Sequence, residues 1–189
     1  MRTRWRMMAA VAALGPVTWG AAAMAAERLE VPQLPGWQVV NSVSDHTGEV
    51  TELIPPGETA DSWTRRVTVQ AFRGVPMTVS GFLDQVVQKT AEVCEGATAG
   101  PPSMGKVSGA DAGTRTVACG QYKGDGRGTF AMHFVVRGRE ALYVVTRLWR
   151  GAPFNPKTMP IDAAELRDWG DYAAGINLCD SRDPNRPCR

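Results

Sequence analysis

Few side chains in this chain are suited to catalysis or ligand binding, and the most promising ones surround one histidine. The chain has two histidines, His46 in the polar segment SDHTGE and His133 in the segment TFAMHFVV. Apolar residues at every second position predict strands for TFAMHFVV and for EALYVVTRLW. One face of this strand pair would then carry an imidazole, a phenol, a guanidinium and an indole, from His133, Tyr143, Arg147 and Trp149. Such a face could bind an anionic or aromatic group.

This grouping depends on the register of the two strands, because a slip of one residue exchanges their faces. A three-residue turn at Arg137-Gly138-Arg139 would place Phe134 opposite Leu142 and collect the aliphatic residues on one face. His133 and Tyr143 would then share the other face. That second face is too apolar to lie wholly in water, so we expect either a helix to cover it or a partner to bind it.

The motifs of common enzymes are missing. The chain contains no G-x-S-x-G and no H-E-x-x-H segment, and the glycines of GDGRG lie between predicted strands instead of before a helix. We therefore expect a protein that is not an enzyme. The alternative is a small hydrolase that uses His133 together with nearby polar groups.

The cysteines predict disulfide bonds. All four lie after residue 25, at Cys94, Cys119, Cys179 and Cys188. An even number in an exported chain is typical of disulfides, and of the three pairings we favour the sequence neighbours, Cys94–Cys119 and Cys179–Cys188. Zinc is the alternative, but there is no C-x-x-C pair and the histidines are distant. We expect neither a metal nor a cofactor.

Residues 1–25 have the order of a secretory signal peptide. Three arginines precede an apolar run, and alanines at positions 23 and 25 precede the predicted cut. A Gly-Pro pair interrupts the apolar run, whereas a membrane span needs about 20 apolar residues. We expect residues 26–189 to be exported to a periplasm, with no integral membrane segment after cleavage.

Charge excludes one class of partner. Three of the 21 lysines and arginines lie in the predicted leader, which leaves 18 against 19 acidic residues. Binding to nucleic acid needs clustered basic charge, and no such cluster is visible. We expect the partner to be a periplasmic or secreted protein.

The segment TELIPPGETADSWTRRVTVQ predicts two strands joined by a turn. Proline cannot donate a ladder hydrogen bond, so the two prolines should end the first strand. Trp63 should pack at the mouth of the hairpin, and Asp61 should accept backbone N–H bonds. The residues of this structural turn are Pro55, Pro56, Gly57, Asp61 and Trp63. A calcium site at Glu52, Glu58 and Asp61 is the alternative, but the spacing does not match an EF-hand loop.

Two helices and an antiparallel meander complete the prediction. Ser80 should cap a helix that ends at Gly96, and Asp162 should cap a second helix, with Glu165 reaching back to it. The runs TRTVACGQY, TFAMHFVV and EALYVVTRLW should form the meander. We expect residues 26–189 to form a single α+β domain whose C-terminal tail is tethered by a disulfide.

The order of these elements resembles that of an uncharacterised secreted protein family of proteobacteria. The residues that match are Gly36-Trp37, a strand, ELIPPGETADSW, the strand VTVQAF and a capped helix. The same order is similar to the α/β/α sandwich of Mog1/PsbP-like proteins. This resemblance implies a twisted antiparallel sheet between helices, binding or assembly roles, and no catalytic residues. We therefore expect a non-catalytic exported binding or protein-interaction module, with an immunity-type inhibitor of a secreted toxin as the alternative.

Overall fold

The computed structural model describes residues 26–188, so the predicted signal peptide lies outside the described residues. The first six elements in chain order are β1 (Glu27–Glu30), β2 (Gln38–Ser44), β3 (Gly48–Ile54), β4 (Arg65–Arg73), α1 (Val79–Val93) and β5 (Cys94–Ala99). The next six are β6 (Ser103–Val107), β7 (Ala110–Tyr122), β8 (Gly128–Arg137), β9 (Ala141–Gly151), α2 (Ala163–Ala174) and β10 (Asn177–Asp180).

Eight strands form one antiparallel sheet. Seven of them lie in the order β2-β3-β4-β9-β8-β7-β5, and β6 also pairs with β7. Strand β7 has 13 residues, so one end of it pairs with β5 and the other end with β6. Strands β1 and β10 form a separate two-stranded sheet.

The two helices pack on opposite faces of the large sheet. Val79 and Leu83 of α1 pack on a cluster that includes Val135 and Val144. Tyr172 of α2 belongs to a cluster on the other face, with Val67, Phe134, Tyr143 and Val145 among its members. The chain is therefore an α+β protein with a large antiparallel sheet and two helices, as predicted. The sheet is the middle layer, and both of its central faces are core.

The helix ends differ from prediction in detail. Thr78, and not Ser80, caps α1 by accepting a hydrogen bond from Gly81 N at 3.1 Å. Gly96 does not end the helix, because the chain passes directly from Val93 into β5. Asp162 caps α2 as predicted and accepts from Glu165 N at 2.8 Å.

The predicted register of β8 and β9 is wrong. Phe134 lies opposite Val145, not Leu142. Gly138 N donates to Ala141 O at 3.0 Å, so Gly138 pairs with Ala141 and the turn holds two residues, Arg139 and Glu140, and not the three predicted. This turn is held by a residue that lies far away in sequence. The carboxylate of Glu27 accepts the backbone N–H groups of both loop residues, Arg139 at 3.1 Å and Glu140 at 3.2 Å.

Both predicted disulfides are confirmed. Cys94–Cys119 joins the start of β5 to β7, and Cys179–Cys188 joins β10 to the C-terminal segment. Loop-closure entropy predicts stabilisation of about 3.5 kcal/mol for the first and about 2.7 kcal/mol for the second. Two disulfides indicate an extracellular or otherwise oxidising compartment. Among residues 26–188, no helix is long and apolar enough to cross a membrane.

Candidate functional site

The structure does not bring the four residues of the predicted binding face together. Residues of β8 and β9 that lie opposite each other share a face, and His133 lies opposite Thr146. Tyr143, Arg147 and Trp149 therefore lie on the other side of the sheet from His133. The prediction that His133 lies near Tyr143 and Arg147 is wrong, because it rested on the mistaken register.

Helix α2 covers the face that carries Tyr143 and Arg147. Tyr143 is buried and donates its hydroxyl to Glu27 O at 3.0 Å, and burial together with the Glu27 carboxylate raises the pKa of this phenol. Arg147 is 9% exposed, lies over the ring of Tyr172 and pairs with Asp168 at 3.0 Å. Of the two outcomes foreseen for this face, cover by a helix is the one observed.

Trp149 lies on the same side of the sheet as Tyr143 and Arg147. Its ring makes an edge contact with Phe154 at a centroid distance of 5.5 Å, beside the cluster that holds Trp169. Both rings are half-buried and pack against this cluster.

A row of polar side chains crosses the opposite face of the sheet. The row consists of Asn41 on β2, Glu52 on β3, Thr68 on β4, Thr146 on β9, His133 on β8 and Arg115 on β7. At one end Asn41 Nδ2 donates to Glu52 Oε2 at 3.2 Å, and Arg66 Nη1 lies 3.1 Å from Glu52 Oε1. At the other end Arg115 Nη1 donates to Asp84 Oδ1 of α1 at 2.7 Å.

The centre of this row is unsuited to acid–base catalysis. His133 Nδ1 lies 3.0 Å from Thr146 Oγ1, which is the distance of a nucleophile from its base. Thr146 is buried, however, and burial lowers the pKa of His133 to about 4. An effective general base has a pKa near the working pH. The geometry therefore favours a buried polar contact within the sheet.

A serine–lysine pair and possible metal ligands are equally unsuited to form an active site. Ser103 and Lys106 have the S-x-x-K spacing, but they lie on strand β6, where residues three apart face opposite sides. Lys106 is exposed and pairs with Asp111 at 2.8 Å. Within residues 26–188, no group of three or more His, Cys, Asp or Glu side chains is placed to hold a metal ion.

The turn between β3 and β4 is held by a tryptophan between two arginines. The chain turns after Ile54, at the Pro-Pro-Gly segment. Trp63 is buried, with the guanidinium carbons of Arg66 and Arg150 at 4.2 Å and 4.1 Å from its ring centroid. Glu58 accepts from Thr64 N at 2.9 Å, and so takes the role expected of Asp61.

Asp61 contributes its backbone to the same turn. Its carbonyl oxygen accepts from Arg150 Nη2 at 3.0 Å, and the carbonyl oxygen of Trp63 accepts from Arg150 Nε at 3.1 Å. Arg150 therefore ties the turn to the end of β9. The turn residues build the scaffold and do not form a ligand site.

The part of the sheet left uncovered lies on the α1 side of β2, β3 and β4. Helix α1 packs over β5, β7 and β8 and reaches only as far as Phe72, whose ring lies 6.2 Å from that of Phe82. We call the uncovered part the open sheet face and define it by six residues, Asn41, Val43, Val50, Glu52, Gln70 and Phe72. On the opposite side of the same strands, Leu53 and Val69 pack against the core together with Leu34 and Trp37.

The open sheet face is shallow and chemically mixed. Val43 is 54% exposed, and Val50, Gln70 and Phe72 are half-buried. These four residues line part of a cavity of about 200 Å³. Pockets for small molecules measure roughly 300–1,000 Å³, so this cavity is too small to hold most of them. This face was not predicted from the sequence, although the alternation in GEVTELI and RRVTVQAF separates its residues from the core ones.

Comparisons with known proteins give only distant similarities. No protein-family model matches this chain, and no curated protein matches it. Among solved structures, PA94, a Pseudomonas aeruginosa protein of unknown function, is 10% identical with a TM-score of 0.43, over 79% of this chain and 82% of that chain. LpqN of Mycobacterium tuberculosis, which is involved in cell envelope biogenesis, is 11% identical with a TM-score of 0.36, over 83% of this chain and 86% of that chain. Neither similarity bears on function.

Proposed function

We propose that this protein is a non-catalytic, exported protein-binding module and that the open sheet face is its contact surface. The observation that carries the proposal is the unequal covering of the sheet. Helix α2 and the residues before β2 pack on one side of the sheet, where Leu53 and Val69 belong to the core, whereas α1 leaves the other side of β2, β3 and β4 open.

The composition of the open sheet face fits a protein partner. Two valines and a phenylalanine alternate with amide side chains, and its one acid, Glu52, is paired with Arg66. Non-obligate protein interfaces have this mixture of apolar and polar groups and few unpaired charges at their centre. The small cavity volume points away from a small-molecule ligand.

The chemistry of His133 supports a non-catalytic role over the hydrolase alternative. His133 is the histidine that faces a hydroxyl group, and with a pKa of about 4 it would be a weak base at neutral pH. A hydrolase would also need Thr146 to reach its substrate, and Thr146 is 6% exposed.

The proposal includes three finer expectations. The sandwich of one sheet between two helices is the arrangement expected of a Mog1/PsbP-like fold, to which we assign the chain as a hypothesis. The two disulfides and the basic-apolar order of residues 1–25 support export to a periplasm through a cleaved signal peptide. The near balance of charge in residues 26–189 supports a periplasmic or secreted protein partner over nucleic acid.

Site-specific photo-crosslinking in the exported protein tests the contact surface. A photoreactive residue replaces Gln70 on the open sheet face and, as a matched control, Gln88 on the exposed side of α1. We expect one discrete crosslinked partner at position 70 and none at position 88.

The partner identified in this way is then purified without a crosslink and titrated against the wild-type chain. A protein that was captured only by chance would show no binding in this titration. A partner that crosslinks equally well at both positions, or no partner at position 70, would contradict the proposal. Crosslinking to a secreted toxin would identify the immunity-type alternative within the same class.

A further inference from the structure

Strand β2 is an unprotected edge of the large sheet. In the described part of the chain its one neighbour is β3, and six of its seven residues are exposed. Its sequence, QVVNSVS, contains no charged residue and no proline. Natural proteins usually protect such an edge with charge, proline, a β-bulge or a short strand, because it presents unpaired N–H and C=O groups. The one such feature in β2 is a shift in register between Val39 and Asn41, and from Asn41 to Ser44 the pairing with β3 is regular.

The opposite edge of the sheet is protected by a loop that crosses it and by a short strand that carries a charge. Strand β5 lies under α1, and Thr98 Oγ1 donates to Pro156 O at 2.6 Å, so a loop crosses it. Strand β6 is five residues long and carries Lys106. The exposure of β2 is therefore a specific property of this edge and not of the sheet as a whole.

The hairpin geometry fixes which groups of β2 point outwards. Asp45 N donates to Gly48 O at 2.9 Å, so these two residues form a hydrogen-bonded pair. Such pairs alternate along an antiparallel ladder. The backbone groups of Val43 therefore point towards β3, and those of Ser42 and Ser44 point away from it. Ser42 and Ser44 present four outward groups, two N–H and two C=O.

We infer that β2 pairs with β2 of a second copy, in an antiparallel register centred on Val43, and joins the two large sheets into one. Ser42 of each copy then exchanges hydrogen bonds with Ser44 of the other, which forms four bonds about a two-fold axis. The two Val43 residues face each other in the intervening pair, with Cα atoms about 4.5 Å apart. Two side chains that are each 54% exposed thereby bury each other.

Charge favours a second copy as the occupant of this edge. An uncharged strand that meets itself brings no like charges together, and Asn41 falls opposite Asp45 in this register.

Stable interfaces bury about 1,200–2,000 Å² in total, more than a pair of seven-residue strands supplies. The dimer should therefore be weak and form at high concentration, in the range of tens of micromolar or above. The inference goes beyond the proposed function, and its tests measure association of the chain with itself, which a failure to find another protein partner leaves untouched.

Crosslinking through an introduced cysteine tests the register. The mature protein with Val43→Cys, its two native disulfides intact, is treated with a mild oxidant at increasing concentration. We expect a covalent dimer joined through position 43. The matched control is Ser42→Cys, because in this register the two copies of residue 42 lie more than about 7 Å apart and cannot form a disulfide. No dimer with Val43→Cys, or a dimer with Ser42→Cys instead, would overturn the inference.

Sedimentation of uncrosslinked protein provides the second test. Val43→Lys places like charges opposite each other and should weaken dimer formation at least tenfold. Val39→Lys is the matched control, because Val39 is 58% exposed on the same strand but lies outside the paired segment. A wild-type chain that stays monomeric at several hundred micromolar, or equal effects of both lysines, would contradict pairing through Val43.

Discussion

His133 Nδ1 lies 3.0 Å from Thr146 Oγ1, across adjacent strands and on the side of the sheet away from Tyr143. The histidine therefore lies on the other face of the sheet from the aromatic and cationic residues of the α2 side. The contact also places a neutral imidazole in the middle of a polar row that runs across the sheet. The consequence of burying an imidazole in this way is a dependence of stability on pH.

Stability should fall as the pH is lowered from about 6.5 to about 4. Burial lowers the pKa of His133 from its ordinary value near 6.5 to about 4 in the folded chain. Between these values the unfolded chain takes up a proton that the folded chain does not, so the free energy of unfolding falls by up to about 3 kcal/mol. Urea unfolding at pH 7, 5.5 and 4 measures it.

The variant His133→Gln isolates this effect, because it cannot take up the proton. Its unfolding free energy should change less over the same range. Asp180, whose pKa is held at about 2 by hydrogen bonds from the Arg182 side chain and backbone, loses its contribution only at lower pH, below about 4. Equal slopes for His133→Gln and the wild-type chain between pH 6.5 and 4 would show that His133 is not responsible.

Replacing Trp63 by alanine should be strongly destabilising. The indole is 6% exposed and lies between Arg66 and Arg150, so the change leaves a cavity and removes two cation–π contacts. We expect the free energy of unfolding to fall by about 3–5 kcal/mol. Denaturant unfolding measures it, with Trp63→Phe as a control that should lose less than half as much. A loss below about 1 kcal/mol for alanine would mean that the turn does not depend on this ring.

Glu27→Gln should loosen the loop between β8 and β9. The buried carboxylate of Glu27 accepts the N–H groups of Arg139 and Glu140, and an amide would present an NH₂ group to one of them. One lost hydrogen bond to a charged group should cost about 2 kcal/mol. Amide exchange at residues 139 and 140 should accelerate, whereas Glu49→Gln, at an exposed position, should leave it unchanged. Unchanged exchange in Glu27→Gln would contradict the role of this carboxylate in holding the loop.

The features that could be predicted from the sequence are those specified by nearby residues. Alternating apolar residues predict β3, β4, β8 and β9, and the spacing of the cysteines favours the two disulfides that are observed. The Asp162 cap is specified within three residues of the helix start.

The features that could not be predicted depend on distant residues. Glu27 lies more than 100 residues from the loop whose backbone N–H groups it accepts. The segment GATAGPPSMG has the composition of a loop, yet most of it lies in β5 and β6, because the long strand β7 supplies partners for both. The open sheet face is defined by where α1 ends its cover, which no local pattern reveals.

Titration of the partner identified by crosslinking, purified in its free form, against matched variants tests the proposed contact surface most directly. Gln70→Arg changes the centre of the open sheet face, and Gln88→Arg makes the same change on the exposed side of α1. We predict that Gln70→Arg weakens binding at least tenfold, a loss of about 1.4 kcal/mol, while Gln88→Arg binds as tightly as the wild-type chain. Wild-type affinity for Gln70→Arg, or equal weakening by both variants, would contradict the account.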